Sequence, residues 1–459
     1  MTAAPDVNKP RLEVAIVGGG IIGLMTALGL LRRGMHVKIY ERAAAWHEIG
    51  AGFGFTGVAR ECMQRLDPRL LETLSAIAQK TSSSSHTRYW DAFNPRTKHE
   101  AADEAVSLLF QMPESSLNFW GAVRSHLLLG MAALLPEGVV EFGKPLVDYE
   151  DKPGGSDEGV ALRFADGSVA RAHVLIGCDG IHSTTRELLL GSTHPAARPI
   201  FSHVVAYRTM VPMAAGIAAL GEDKATSACM HCGPDVNMMS YPVMNGALLN
   251  VAIFAHEPRY FPEASGMTAP ATRDEVESAV SALGPHVGEI AKLFPAEMVK
   301  WGIFDMYEHP APTYARGLVC IAGDAAHASS PHQGVGACMG VEDALVLCEV
   351  LDTAQTEIAL HVGDREHKDE GQGQGKVAGA RRLTVERALR AFSRSRKDRS
   401  QWLVSSSREM GDMYQWRLGS TGRDPDRCHS KLDQASRKLW DFSVDAMVAG
   451  AKEDAAAAA

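Results

Sequence analysis

Three clusters of glycine and acidic residues, far apart along the chain, carry the residue types that bind a dinucleotide. The first is Gly18-Gly19-Gly20-Ile21-Ile22-Gly23, which follows the apolar run Val14-Ala15-Ile16-Val17. In such a turn Gly18 permits the tight bend, Gly20 a close approach to a pyrophosphate, and Gly23 the packing of the following helix on the strand. Glu41 ends a second apolar run 18 positions beyond Gly23. A carboxylate there accepts hydrogen bonds from both ribose hydroxyls and disfavours a 2′-phosphate. The second cluster, Gly177-Cys178-Asp179-Gly180, follows the strand-like Ala172 to Ile176, and the third, Gly323-Asp324, follows Leu318 to Ala322. Any one of them could be a crossover turn with no ligand. Three on strand ends call for one ligand long enough to touch all of them, and FAD is such a ligand. Asp324 can accept a hydrogen bond from a ribityl chain, a contact NAD does not offer. Gly334-Val335-Gly336-Ala337 then opens a helix through Met339, Val341, Leu345 and Leu347, whose amides and dipole would stabilise negative charge on a reduced flavin.

These residues need a parallel sheet to hold them. The pattern of strand, glycine turn, helix (Leu24, Leu28, Leu31, with a stop at Gly34) and second strand predicts an α/β chain with a Rossmann-like FAD-binding domain. From His203 to about Phe254 the alternation is β-like, with turns at Gly233-Pro234 and Asn245-Gly246, so a separate sheet is inserted and the nucleotide domain is discontinuous. The expected boundaries are 11–82, 105–190 and 296–352 for the FAD-binding domain, with 83–104 and 191–295 for a β-sheet substrate domain. A surface loop is expected over 353–376 and a C-terminal helical region over 377–450. A helix is also expected from Trp120 through Leu135, a hairpin around Asp166-Gly167, a linker at Ser82 to Ser85, and a frayed Ala-rich tail after Asp454.

Composition narrows the function classes. With 459 residues and 46% hydrophobic side chains the chain can build a large core in two or three domains. Its net charge of −9 and the lack of a long basic run argue against nucleic acid as a partner. The short basic group Arg394 to Arg399 reads as a solvated helix face. There is no run of 18 apolar residues and no signal-peptide pattern, so a soluble, cytoplasmic protein with no membrane span is expected. The eight scattered cysteines suit reduced core thiols. Cys229-Met230-His231-Cys232 has the spacing of a redox or zinc pair, but no second pair matches it, and no metal is expected.

The sequence resembles the single-component FAD-dependent aromatic hydroxylases of the salicylate/para-hydroxybenzoate hydroxylase type, over nearly the whole chain. Three fingerprints carry the resemblance in the right order: Gly18-x-Gly20-x-x-Gly23; Gly177-Cys178-Asp179-Gly180-Ile181-His182-Ser183-x-x-Arg186; and Gly323-Asp324-Ala325-Ala326-His327 with Pro331-His332-Gln333-Gly334-Val335-Gly336. Glu48 to Gly52, Leu220 to Lys224 and Trp301 to Asp305 are similar to the fungal polyketide monooxygenases that oxidatively dearomatise phenols toward azaphilones, sorbicillinoids or tropolones.

The resemblance implies FAD contacts at Glu41 (adenosine ribose), Gly54 (backbone beside the flavin), Arg124 (pyrophosphate), Asp324 (ribityl chain), and Gly336 and Ala337 (pyrimidine edge). Asp179 belongs to a motif associated with both FAD and NADPH. NADPH or NADH is the implied reductant and molecular oxygen the co-substrate. For a phenolic small-molecule substrate the resemblance points to Arg208 and Tyr241 as catalytic. Chemistry agrees with such a pair. A flavin C4a-hydroperoxide delivers an electrophilic oxygen, so the ring reacts best as a phenolate, which a guanidinium stabilises and a tyrosine can orient. His332 could assist deprotonation, although Gln333 stands where some relatives carry a second histidine, and Asn237 replaces a relative's histidine. Decarboxylative hydroxylation of a salicylate-like acid, an oxygen-independent flavin reductase and a non-catalytic flavoprotein remain alternatives at this stage, and a homodimer stays open.

Overall fold

The computed structural model describes residues 11–46, 52–80, 86–93, 108–113, 119–151, 159–261, 266–363 and 373–457. The linker expected at Ser82 to Ser85, and most of the segment Glu48 to Gly52, lie outside them.

The apolar run Val14–Val17 is buried throughout, as a strand covered on both faces must be. It forms the middle of a six-stranded sheet in the order Ala315–Arg316, Val319–Ile321, Val174–Gly177, Glu13–Val17, His36–Glu41, Val140–Phe142. Val14 pairs in parallel with Val174 on one side and Val37 on the other, and Leu175 with Val319. The three glycine turns therefore leave neighbouring strands at the same end of the sheet. Helix Ile21–Arg32 is buried nearly all round because helix Gly336–Gly363 lies across its outer side. A Cβ on Gly29 would come within 2.6 Å of Leu66 and 2.7 Å of Cys348, so only glycine permits that approach. A three-stranded meander, Leu146–Asp151, Val160–Phe164 and Val169–Ala172, turns at Asp166-Gly167 with Gly167 at φ +82°.

The second sheet has eight strands: Thr268–Thr272, Glu297–Asp305, Ile200–Pro212, Leu248–His256, Val236–Val243, Cys229–Gly233, His86–Asp91 and Leu108–Pro113. One face packs Val205, Tyr207, Val211, Leu249, Val251 and Ile253 against Leu220, Val276, Val287 and Ile290 of three short helices. The opposite face turns toward the nucleotide-binding unit and the 42-residue helix Gly373–Tyr414.

Several expectations need correction. The bounds 105–190 and 296–352 place Leu108–Pro113 and Glu297–Asp305 in the nucleotide part, but these strands pair with His86–Asp91 and Ile200–Pro212 in the large sheet; local pattern does not state which distant strand supplies a partner. The loop expected over 353–376 is helical at both ends. Helix Gly336–Gly363 extends into it because Ala354 and Ile358 continue the buried stripe of Leu347 and Leu351, and the next helix begins at Gly373. Trp120–Ala122 is a strand paired with Phe53–Phe55, and helix starts only at Arg124, ending at Ala132. The tail does not fray at Asp454: helix Val444–Ala456 continues past it, with Ala455 buried. Finally, Arg396 is fully buried and Arg399 largely so, while Arg394 stays exposed, so the solvated-face reading of that basic group holds only for part of it.

Candidate functional site

The first glycine turn is closed where it must pack and open where a ligand would enter. Gly18 sits at φ +103° with a hypothetical Cβ 2.4 Å from the Cys178 carbonyl oxygen, and a Cβ on Gly23 would lie 2.0 Å from the Gly18 oxygen. A Cβ on Gly20 would meet nothing within 4 Å. Gly20 also caps helix Ile21–Arg32 without a side-chain hydrogen bond, leaving first-turn amides for an anion. Glu41 accepts from the Gly19 N–H at 2.7 Å and the Ala43 N–H at 2.8 Å. Each carboxylate oxygen keeps a second acceptor site for a ribose hydroxyl.

The third turn meets the first through Ile22. Its side chain lies 3.1 Å from a hypothetical Cβ on Gly323 and 2.6 Å from one on Gly340. Asp324 is exposed just beyond Gly323. Gly54 faces the start of helix Gly336–Gly363, where the Cys338 thiol lies 3.5 Å from the Gly54 carbonyl oxygen. Gly54 pairs with Gly121 three positions before Arg124. The fold thus gathers Gly18, Gly20, Gly23, Glu41, Gly54, Arg124, Asp324, Gly336 and Ala337 around one end of the sheet, and the open turn, free amides and carboxylates fit the two ends of FAD. Asp179 turns inward: its carboxylate accepts from the Ser183 hydroxyl at 2.5 Å and from the Thr185 amide and hydroxyl at 2.9 and 3.0 Å. That leaves it holding the turn together.

Two buried networks behind this site were not anticipated from sequence. Arg186 is fully buried and donates to the carbonyls of Ala197 and Ala325 at 3.1 and 3.0 Å, tying the second fingerprint to the third. Burial pushes its guanidinium down to about 10. Asp343 accepts from the Gly323 N–H at 3.0 Å, from His327 Nε2 at 2.5 Å and from Arg396 Nε at 2.8 Å. Burial alone would raise the Asp343 carboxyl, but the His327 and Arg396 charges bring it down to about 2. Asp343 and Arg396 gave no local signal, because a carboxylate and a guanidinium in separate helices are joined only by packing.

On the large sheet, Arg208 stands opposite Ala252, which stands opposite Met239; Tyr241 stands opposite Asn250, which stands opposite Met210. Opposed residues share a face, as do residues two apart on one strand. Arg208 and Tyr241 therefore lie on one face with Ala206 and Phe254, and it is the face turned toward the nucleotide-binding unit. Arg208 is exposed and Tyr241 half-buried. Surrounding protein lowers the basicity of Arg208, partly opposed by Tyr241, and burial raises the Tyr241 phenol, partly opposed by Arg208. Tyr241 thus remains a proton donor and Arg208 a cation at neutral pH.

The His332 ring lies 5.0 Å from that of Phe254, and its Nδ1 is 3.1 Å from the Ser330 hydroxyl. Burial, with the Arg408 charge second, pushes His332 down to about 3. An imidazole so lowered is neutral at neutral pH. Asn237 Oδ1 accepts from Gln415 Nε2 at 3.1 Å and Gln333 from the Ser407 hydroxyl at 3.2 Å, both contacts with the long C-terminal helix and the residue that follows it. Cys229 and Cys232, three apart on a strand, project to opposite faces, and among the described residues no group of three or more His, Cys, Asp or Glu could hold a metal. Among the described residues no helix is long and apolar enough to cross a membrane.

A Rossmann-like sheet with three converging glycine turns, joined to a large sheet that presents Arg208 toward it, defines a flavin-binding oxidoreductase architecture. Residues 11–360 match the FAD binding domain family, and the chain belongs to it. It is 52% identical over 97% of both chains to an FAD-dependent monooxygenase of Aspergillus terreus, and 42% identical over 96% of both chains to the FAD-dependent monooxygenase orf3 of Aspergillus niger. A solved salicylate hydroxylase substrate complex superposes with a TM-score of 0.77 at 28% identity, covering 96% of this chain and 98% of that one. The protein is an FAD-dependent monooxygenase of the aromatic hydroxylase type, with FAD as cofactor, NAD(P)H as reductant and oxygen as co-substrate.

Proposed function

We propose that this monooxygenase hydroxylates a polyketide-derived phenol at a substituted ring carbon, so that aromaticity is lost. The observation that supports this most is the pairing of Arg208 and Tyr241 on the sheet face turned toward the candidate flavin site. Arg208 holds the phenol as its anion, which raises electron density on the ring, and Tyr241 donates a hydrogen bond that orients it. FAD held there and reduced by NAD(P)H would activate molecular oxygen, one atom of which goes to the phenol and the other to water. Glu41, Arg124 and Asp324 hold the cofactor, Gly54, Gly336 and Ala337 shape the cleft at its ring, and His332 and Phe254 wall the aromatic site. Eight buried thiols suit a reducing, cytoplasmic setting.

Decarboxylative hydroxylation of a salicylate-like acid is the second reading, favoured by the likeness to salicylate hydroxylase and by the fit of a guanidinium to a carboxylate. Acyl-resorcinol-type phenols tested for substrate-stimulated NADPH and oxygen consumption separate the two. Dearomatisation adds one oxygen, retains every carbon and abolishes the aromatic absorbance, whereas decarboxylation loses carbon dioxide and keeps it.

A further inference from the structure

Ser407 and Gly411 of helix Gly373–Tyr414, with Gln415 just after it, form a row of residues four apart that faces the loop carrying His332 and the large sheet. At one end the Ser407 hydroxyl bonds Gln333 at 3.2 Å; at the other Gln415 Nε2 donates to Asn237 at 3.1 Å and to the Phe254 carbonyl at 3.2 Å. Gly411 stands between them. A Cβ built on Gly411 would lie 2.7 Å from both Cε1 and Nδ1 of His332 and 3.0 Å from its Cγ, while the glycine's own φ is not in the left-handed region. Its backbone would accept alanine; its surroundings would not. A glycine inside a long helix is unfavourable relative to alanine, so its presence has a packing reason, and the imidazole seated on it supplies one. The same ring meets Phe254, with centroids 5.0 Å apart, and Phe254 shares its sheet face with Arg208.

We propose that Gly411 is a positioning residue for the aromatic site: the missing side chain lets His332 seat against the helix, and this sets the depth left for the phenol between His332, Phe254 and Arg208. The inference rests on the functional reading above. Carbon atoms pack at about 3.5–4.0 Å, so a methyl group at Gly411 pushes the ring roughly 1 Å away from the helix. A misplacement of about 1 Å can cost about 10²-fold in an oriented reaction.

The test is Gly411→Ala in the full-length, FAD-loaded protein. Expected are unchanged FAD content, a His332 ring displaced by roughly 1 Å in the crystal structure, and at least about a tenfold fall in product formed per NADPH oxidised, with peroxide making up the difference. In a His332→Ala background the same change should add no further loss, because the methyl then has nothing to push. A ring that stays in place with coupling intact, or an equal loss in both backgrounds, overturns the proposal. Should the single variant be insoluble, rescue by His332→Ala supports it and failure to rescue overturns it. If the wild type turns over no phenol, the functional reading falls, while the ring position still decides the role of Gly411.

Discussion

Replacing Arg208 with alanine removes the one charge assigned to the phenolate, and the size of the effect follows from its surroundings. A unit charge about 4 Å from an oxyanion contributes about 4 kcal/mol at an effective dielectric of about 20. Arg208 is open to solvent, and screening reduces this to about 2–3 kcal/mol. At 1.36 kcal/mol per pKa unit that corresponds to a bound phenol about 1.5–2 units less acidic and a loss of roughly 30- to 150-fold in kcat/KM. The sign in pH follows. Arg208 lowers the pKa of the bound phenol, so wild-type turnover rises with pH through that lowered value and then levels; in Arg208→Ala the rising limb moves up by about 1.5–2 units and the deficit narrows at high pH. Arg208→Lys keeps the charge and loses the planar fork, so it should retain the position of the limb with a smaller rate loss. The assay is coupled product formation by chromatography against NADPH oxidised, across a pH range spanning the phenol's own pKa, with FAD content as control. Undiminished turnover in Arg208→Ala with the limb unmoved would refute the reasoning.

Tyr241→Phe deletes one hydrogen bond and should cost less than Arg208→Ala, appearing mainly as altered site-selectivity or more peroxide, with normal FAD content. Asp324→Ala should lower FAD retention through gel filtration by at least about tenfold, the scale of one charge-assisted hydrogen bond, with the circular dichroism spectrum unchanged; equal occupancy in both proteins would contradict the ribityl role. The phenol should accelerate flavin reduction by NADPH in rapid mixing, because a flavin reduced before substrate arrives wastes its oxygen as peroxide; identical rates with and without phenol remove the idea. The Asp343 carboxyl, held at about 2 in the folded protein against an ordinary 3.8, contributes roughly 2–3 kcal/mol that is fully present above pH ~4 and lost as pH falls toward ~2. Denaturant titrations should therefore show a shallower acid limb in Asp343→Asn, with the overall loss held to roughly 2–3 kcal/mol because Glu342, 2.8 Å from Arg396, still pairs the buried guanidinium; an unchanged acid limb would contradict the coupling.

The local grammar of the chain was enough to determine the glycine turns proposed to bind the cofactor. Glycine at 18, 20 and 23, an apolar strand before them and a carboxylate at 41 are requirements of backbone geometry and ribose chemistry, and both act over a few residues. The helix starts at Arg273 and Pro425 likewise follow from Thr272 and Asp424, whose side chains cap the first-turn amides. Arg208 and Tyr241 were legible as residue types only. Their common face depends on the register of three strands, in which a slip of one residue turns a side chain to the other side. Membership of Leu108–Pro113 and Glu297–Asp305 in the large sheet was decided by partners about 20 and 100 residues away in sequence, a choice that periodicity does not encode. The same holds for Arg396 and Gly411. A basic residue and a glycine in a long polar helix look like surface features until packing places one against Asp343 and the other beneath His332, where burial, charge pairing and the volume of a single methyl group give them their roles.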